Sequence, residues 1–209
     1  VLLAIDTSAG TGVAVVDPSA PGGVVVAEAS EADTRRHAEA IDVLISGVLR
    51  SAGIGPRDVA AVVAGMGPGP FTGLRVGIAA ARTLALALEV RVIPVVSHDA
   101  VALGRARSTL VVTDARRREV AWSTYGPPDA DGVPLRQGGP QLARPDELAQ
   151  LVEGYSRYDR IDAAVISAGA LGLVAARLLQ AGRAGAPDEP LYLRAPDVTV
   201  GTGPKRVTG

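Results

Sequence analysis

The 209-residue chain carries 21 Lys and Arg against 22 Asp and Glu, a net charge of −1, so no global basic surplus draws it to nucleic acid, and RNA contact would need a partner for most of its grip. The absence of cysteine excludes disulfides and thiolate metal sites, and two histidines argue against a His-rich one. Hydrophobic residues reach 47% but aromatics only 3%, so the core must be built from Val, Leu, Ile and Ala, as where helices pack closely on buried strands.

In chain order, strands at 1–6, 13–17 and 24–28 read as an antiparallel meander, joined by a polar turn at 7–12 and by Asp17-Pro18 with Pro21-Gly22-Gly23. A helix follows over 35–52. Its Ala38, Ile41, Ile45, Val48 and Ala52 fall three and four apart on one face, and Gly53 supplies the stop. After a strand at 58–64, a Gly/Pro-rich loop at 65–73 leads into a helix reaching 89. A strand at 90–96 and a short helix at 99–107 complete this set. The pattern then restarts with strands at 109–114 and 119–125 and a weak third at 133–138. A helix at 145–153, a strand at 161–167, a helix at 171–181 and a last short strand at 191–194 follow.

The second series repeats the element order of the first in shortened form, without repeating its residues. The expectation is an α/β fold of the duplicated actin-like and Hsp70-like kind (ASKHA, RNase H-like), with two lobes and a reduced second one. The first lobe spans 1–107, the second 108–195, and a loose Gly/Thr/Pro-rich tail 196–209. The apolar run 1–5 lacks the basic flank of a secretory signal. The longest apolar stretch, 76–88, contains Arg82 and is shorter than a bilayer span, so a cytoplasmic chain without membrane association is expected.

Three motifs carry chemistry. Asp6-Thr7-Ser8 with Gly10 and Gly12 reads either as a phosphate-cradling hairpin of an actin-like fold or as a polar turn. In the first case backbone N–H groups and hydroxyls meet phosphate and the Asp holds water around Mg²⁺. The matching place in the second lobe, Asp114-Ala115-Arg116-Arg117-Arg118-Glu119, has no Gly, which argues against ordinary ATP phosphotransfer. Its Arg116, Arg117 and Arg118 can pair with RNA phosphates or a partner's carboxylates, or form a solvated charge run. The most specific motif is Gly67-Pro68-Gly69-Pro70-Phe71-Thr72-Gly73-Leu74-Arg75-Val76-Gly77, between a strand and a helix, with Thr72 as the expected N-cap. Gly73, Gly77, Ala81 and Ala85 form a groove of small residues, which either packs on the chain's own elements or faces another protein. His37 and His98 have Ile41 and Ala102 four residues on, so neither forms a metal-binding pair, and His98 reads as a capping or surface residue. No Ser/His/Asp constellation can be placed, and no catalytic or metal residue is assigned.

These motifs resemble the TsaB (YeaZ) family. The resemblance rests on Leu3-Ala4-Ile5-Asp6-Thr7-Ser8, Arg36-His37-Ala38-Glu39, the Gly-Pro-Gly stretch, Val96-Ser97-His98-Asp99-Ala100, Asp114 to Val120 and Tyr192-Leu193-Arg194. Pro70 departs from the family's usual Ser and Arg118 from its usual Gly. The resemblance implies a degenerate relative of TsaD acting with it and with a TsaE-like ATPase to form threonylcarbamoyladenosine on tRNA. This chain would be a non-catalytic scaffold subunit, touching tRNA through the complex and able to form homodimers. TsaD-like chains carry two His ligands four apart; the aligned positions here are Ser97 and Val101, or His98 and Ala102 in the shifted register. The resemblance also implies a partner interface on the two long first-lobe helices, through His37, Ile41, Ile45, Val48, Gly73, Gly77, Ala81 and Ala85. No cofactor is required, although ATP or ADP at Asp6, Thr7 and Ser8 remains open. The alternative reading is a small actin-like kinase or acyltransferase using ATP there.

Overall fold

The computed structural model describes residues 1–32 and 37–194 and, of His37 and Ala38, only the backbone. The expected helix start at 35–36 and the tail 196–209 lie outside the described residues. The elements are β1 (Leu2–Asp6), β2 (Thr11–Asp17), β3 (Val24–Glu31), α1 (His37–Ser51), β4 (Ala61–Gly65), α2 (Phe71–Ala87), β5 (Arg91–Val95) and α3 (Ser97–Ala102). A second series follows: β6 (Thr109–Asp114), β7 (Val120–Tyr125), β8 (Arg136–Ala143), α4 (Leu148–Leu151), β9 (Asp159–Asp162) and α5 (Ala168–Gln180).

The duplication is visible in the sheets. The first runs β3-β2-β1-β4-β5, with β1–β2–β3 antiparallel and β1–β4–β5 parallel. The second runs β8-β7-β6-β9 with the same sense of pairing and lacks a fifth strand. This is the expected α/β, actin-like architecture with a reduced second copy.

Strand alternation divides the first core in two. Leu3, Ile5, Val13, Val15 and Val62 pack under α1 and α2, while Leu2, Ala4, Ala14, Val16 and Val63 pack under α5 and α3. Both faces are covered, so β1 and β4 are buried throughout and read as continuous apolar runs. α1 ends as its sequence suggests. Gly53 takes φ +69°, Gly53 N–H bonds Arg50 O at 3.0 Å, and Ile54 N–H bonds Leu49 O at 3.1 Å.

Several expectations need correction. The N-cap of α2 is Pro70, not Thr72, which lies inside the first turn. α3 starts at Ser97 and stops by Gly104, which takes φ +74°. β8 lies further along than 133–138 and runs on past Gly138 through Gly139 and Pro140, beyond the expected end. An edge strand accepts a proline because its outer side has no partner strand to bond. Residues 163–167 continue no strand: β9 ends at Asp162 and the chain crosses back, burying Ile166 in the first core. Residues 191–194 form no strand either, although Leu191 N–H bonds Met66 O at 2.8 Å.

The boundary at 107/108 separates the two sheets but not the two cores. α5, from the second series, lies across the first sheet, with Leu171, Val174, Ala175 and Leu178 in its core. The first sheet therefore depends on the end of the chain to cover one face. Leu171 is fully buried there. Leu171→Ala should cost about 2–5 kcal/mol in urea unfolding followed by far-UV circular dichroism. A loss below about 0.5 kcal/mol, the size of an ordinary surface substitution, would mean that α5 does not anchor the first sheet.

Candidate functional site

β1 and β2 meet in the hairpin that carries Asp6, Thr7 and Ser8, and all three residues are buried. Asp6 Oδ1 accepts the Ser8 N–H at 2.8 Å and also the Ser8 hydroxyl. Asp6 Oδ2 accepts the Ser97 hydroxyl at 2.5 Å. Ser97 Oγ accepts the Gly67 N–H at 3.0 Å, and Gly67 O accepts the Ser97 N–H at 2.8 Å. The Thr7 hydroxyl donates to Gly73 O at 2.7 Å. These bonds draw the Gly-Pro-Gly loop down over the hairpin.

Glycine makes this approach possible. A Cβ at Gly65 would overlap the Asp6 carboxyl, one at Gly77 the Thr7 side chain, and one at Gly69 the Ser8 backbone. The side chains expected to meet phosphate are thus brought together but turned inward, with their polar atoms bonded to protein, as burial demands.

The next residues of α3 tie this lock to the second sheet. His98 is fully buried, not a capping or surface residue. Its Nδ1 lies 2.8 Å from Ser123 Oγ and its Nε2 2.9 Å from Thr113 Oγ1. Desolvation, helped by the charge of Arg136, lowers its pKa to about 3, so the ring is neutral at physiological pH. Asp99 Oδ1 accepts the Tyr125 hydroxyl at 2.7 Å and lies 3.4 Å from Arg136 Nε. That contact is an ion pair without hydrogen-bond geometry, since Arg136 Nε has no hydrogen-bond partner among the described residues. Burial pushes Asp99 up, although Arg136 and Tyr125 pull it down, and burial with the Asp99 charge pushes Tyr125 well up.

Between the two lobes, residues 68–72, Asp114, Ala115, Arg116, Ala121, Leu142 and 192–194 line a cleft of about 390 Å³. Phe71 and Tyr192 stack across one wall with centroids 4.8 Å apart, and the Arg75 guanidinium lies 3.9 Å from the Phe71 centroid. Beside the cleft, Arg117, Arg118, Glu119, Arg144 and Arg194 surround a basin of about 370 Å³. Arg116, Arg117 and Arg118 take φ of +65°, +56° and +62°, a left-handed run that costs about 1–2 kcal/mol per non-glycine residue. Arg194 braces that turn. It donates to Ala115 O at 3.2 Å and Arg116 O at 3.3 Å, and pairs with Glu119.

The expected partner-facing residues point elsewhere. Ile41, Val48, Gly73, Gly77, Ala81 and Ala85 are buried within the chain, and Ile45 packs half-buried against the same core. Their spacing serves α1 and α2 against their own sheet, so the small-residue groove holds Thr7 and the sheet. The side chain of His37 lies outside the described residues. The outward faces of these helices carry Val43, 69% exposed, and Leu86, 80% exposed, together with Ala79 and Thr83. Sequence reasoning missed the roles of Ser97, Arg136, Arg144 and Arg194. Only the Ser97-His98-Asp99 run gave a signal, a concentration of polar residues just after a buried strand. Among the described residues no group of three or more His, Cys, Asp or Glu is placed to hold a metal ion.

The family model described as TsaD: tRNA N6-adenosine threonylcarbamoyltransferase matches residues 15–136. An uncharacterized protein of Mycobacterium tuberculosis is 39% identical over 182 residues, 83% of this chain and 82% of that protein. The tRNA threonylcarbamoyladenosine biosynthesis protein TsaB of Escherichia coli is 36% identical over 96 residues, 44% of this chain and 42% of that protein. The structure of YeaZ from Pseudomonas aeruginosa aligns with a TM-score of 0.73 at 25% identity, over 92% of this chain and 99% of that chain.

The buried imidazole predicts a pH dependence. With a folded pKa of about 3 against about 6.5 when unfolded, His98 binds its proton more readily in the unfolded chain. Stability should therefore be fully present above about pH 6.5 and fall as pH drops, by about 1.4 kcal/mol per unit at most. Asp99, raised by burial, acts in the opposite sense over part of that range. Urea midpoints at pH 7 and 4.5 should separate for the parent chain and converge for His98→Gln. An equal separation in both would show that His98 is not the titrating group.

Proposed function

We propose that this chain, which belongs to the TsaB (YeaZ) family of TsaD-type domains, is the non-catalytic subunit that binds and supports a TsaD-like catalytic subunit in forming N6-threonylcarbamoyladenosine on tRNA. The observation that carries this reading is the closed hairpin. Asp6, Thr7 and Ser8 are committed to Ser97, Gly73 and each other, where a catalytic relative of this fold would present them to a ligand. His98, the one histidine near the place of the TsaD-like ligand pair, has both ring nitrogens bonded to Ser123 and Thr113.

A supporting subunit needs a surface its own core leaves free. The outer faces of α1 and α2, where Val43 and Leu86 stand exposed among Asp42, Arg75 and Arg82, supply one. A TsaD-like partner and a second copy of this chain would compete for it, and a TsaE-like ATPase would join the pair. In this role tRNA is met through the complex, in the cytoplasm. No helix among the described residues is long and apolar enough to cross a membrane. The role requires no nucleotide on this chain, since ATP or ADP at Asp6, Thr7 and Ser8 would need the Thr7–Gly73 and Asp6–Ser97 bonds to open. A second reading, a small ATP-using kinase or acyltransferase, draws on the interlobe cleft and on the presence of that hairpin.

Light scattering on this chain mixed with the TsaD-like protein of the same host should give a one-to-one complex. Val43→Glu with Leu86→Glu should weaken it at least tenfold without lowering thermal stability. No complex with the parent chain, together with ATP turnover by the chain alone, would overturn the scaffold reading in favour of the second. Undiminished pairing by the double variant would remove this face as the interface.

A further inference from the structure

We infer that the basin of Arg117, Arg118, Arg144 and Arg194 is a phosphate site and that the adjoining cleft takes an unpaired base, so that together they hold one nucleotide of a single-stranded RNA segment. The inference rests on the tRNA reading above and deepens it by naming a contact made by this chain itself. Among the described residues, four guanidinium groups stand around one carboxylate, Glu119, in a chain whose net charge is −1. Glu119 is engaged by Arg194, and Arg194 in turn is fixed by two backbone carbonyls. Arg118 makes no hydrogen bond or ion pair among the described residues. Among the described residues the Arg144 side chain pairs with Asp146 alone, at 3.3 Å with both side chains more than 60% exposed, a pairing worth little in water. The left-handed run from 116 to 118 is held against its conformational cost, as backbone at ligand clamps often is.

The neighbouring cleft decides between ligands. It shares Arg194 with the basin, and Pro70, Phe71, Leu142 and Tyr192 give it apolar walls. A phosphate beside an apolar, aromatic-lined slot suits a nucleotide whose base stacks while its phosphate meets arginine. Asp114, exposed on the rim, can accept a bond from a base amino group. Arg116 faces the cleft and lies 3.9 Å from that carboxyl, so it belongs to the base side, not to the phosphate basin.

The test uses the chain alone and a fluorescein-labelled single-stranded RNA of about ten nucleotides, within the span of one such binding surface. Anisotropy is read across a salt series, with pyrophosphate, adenosine monophosphate and polyglutamate as competitors. Saturable binding is expected at low salt. Arg118→Ala with Arg144→Ala should weaken it about tenfold or more and reduce the slope of log K against log salt by about 0.7, one single-strand phosphate contact. Arg118→Lys with Arg144→Lys should keep most of the slope, and Phe71→Ala should weaken binding with the slope unchanged. Absence of RNA binding by the parent chain, an unaltered slope in the alanine pair, or displacement by polyglutamate as effective as by RNA would overturn the site. Adenosine monophosphate competing as well as the strand would assign it to a free nucleotide and overturn the RNA assignment. The parent chain, mixed with the TsaD-like protein and separately with the RNA, keeps the two proposals apart. Complex formation without RNA binding sinks this inference alone, and RNA binding without a complex sinks the scaffold reading alone.

Discussion

Three consecutive side chains at the start of α3 join everything else. Ser97 bonds the Asp6 carboxyl and the Gly67 backbone, His98 bonds Ser123 and Thr113 of the second sheet, and Asp99 meets Tyr125 and Arg136. Successive residues of a helix point about 100° apart, so one short turn can address three partners in different directions. The turn is only six residues long and would be marginal by itself. What holds it is the bonding of groups that, left unpaired in this interior, would each cost a few kcal/mol. Loss of one partner would strand the next, which makes the set cooperative.

The same lock accounts for the glycine pattern of the first lobe. For Asp6 to reach Ser97, β4 must end on a residue without a side chain at Gly65. For Thr7 to reach Gly73, α2 must present Gly77 to it. The row of small residues along α2 is therefore required by the inside of the molecule. The outside of α1 and α2 is free of that requirement, and there the chain keeps large apolar side chains in water at Val43 and Leu86.

How far the sequence revealed this depended on the range of the interaction. Short-period patterns were readable: the buried run of β1, the Gly53 stop and the order of strands in both copies follow from neighbours in the chain. The 3–4 spacing on α1 and the row of small residues four apart on α2 identified the packed faces, but periodicity says which side packs and not what covers it. α5 was assigned to the second lobe because it follows β9, whereas its apolar face packs on a sheet whose first strands, β1 and β2, lie more than 150 residues earlier. β8 was shortened by its glycines and proline, which an edge strand tolerates. The Asp6–Ser97 bond spans 91 residues, and nothing in either segment announces the other. Resemblance to a family supplied the frame that local pattern could not. It did not supply the orientation of side chains within that frame.

The seam at α3 also bears on how the two lobes behave. In a fold of this kind a cleft between lobes opens and closes when they rotate about their connection. Here the connection carries a neutral imidazole bonded on both nitrogens in an interior site, beside a half-buried carboxyl bonded to Tyr125. Rotation would separate the buried His98 from Ser123 or Thr113, and a polar network in such surroundings resists partial opening. α5 adds a second tie, since it follows the second sheet in the chain and packs on the first. A domain so fastened presents its outer helices and its interlobe rim in a fixed relation. Under the proposed role, that fixity would let a partner held against one face be aligned with a strand held at the other.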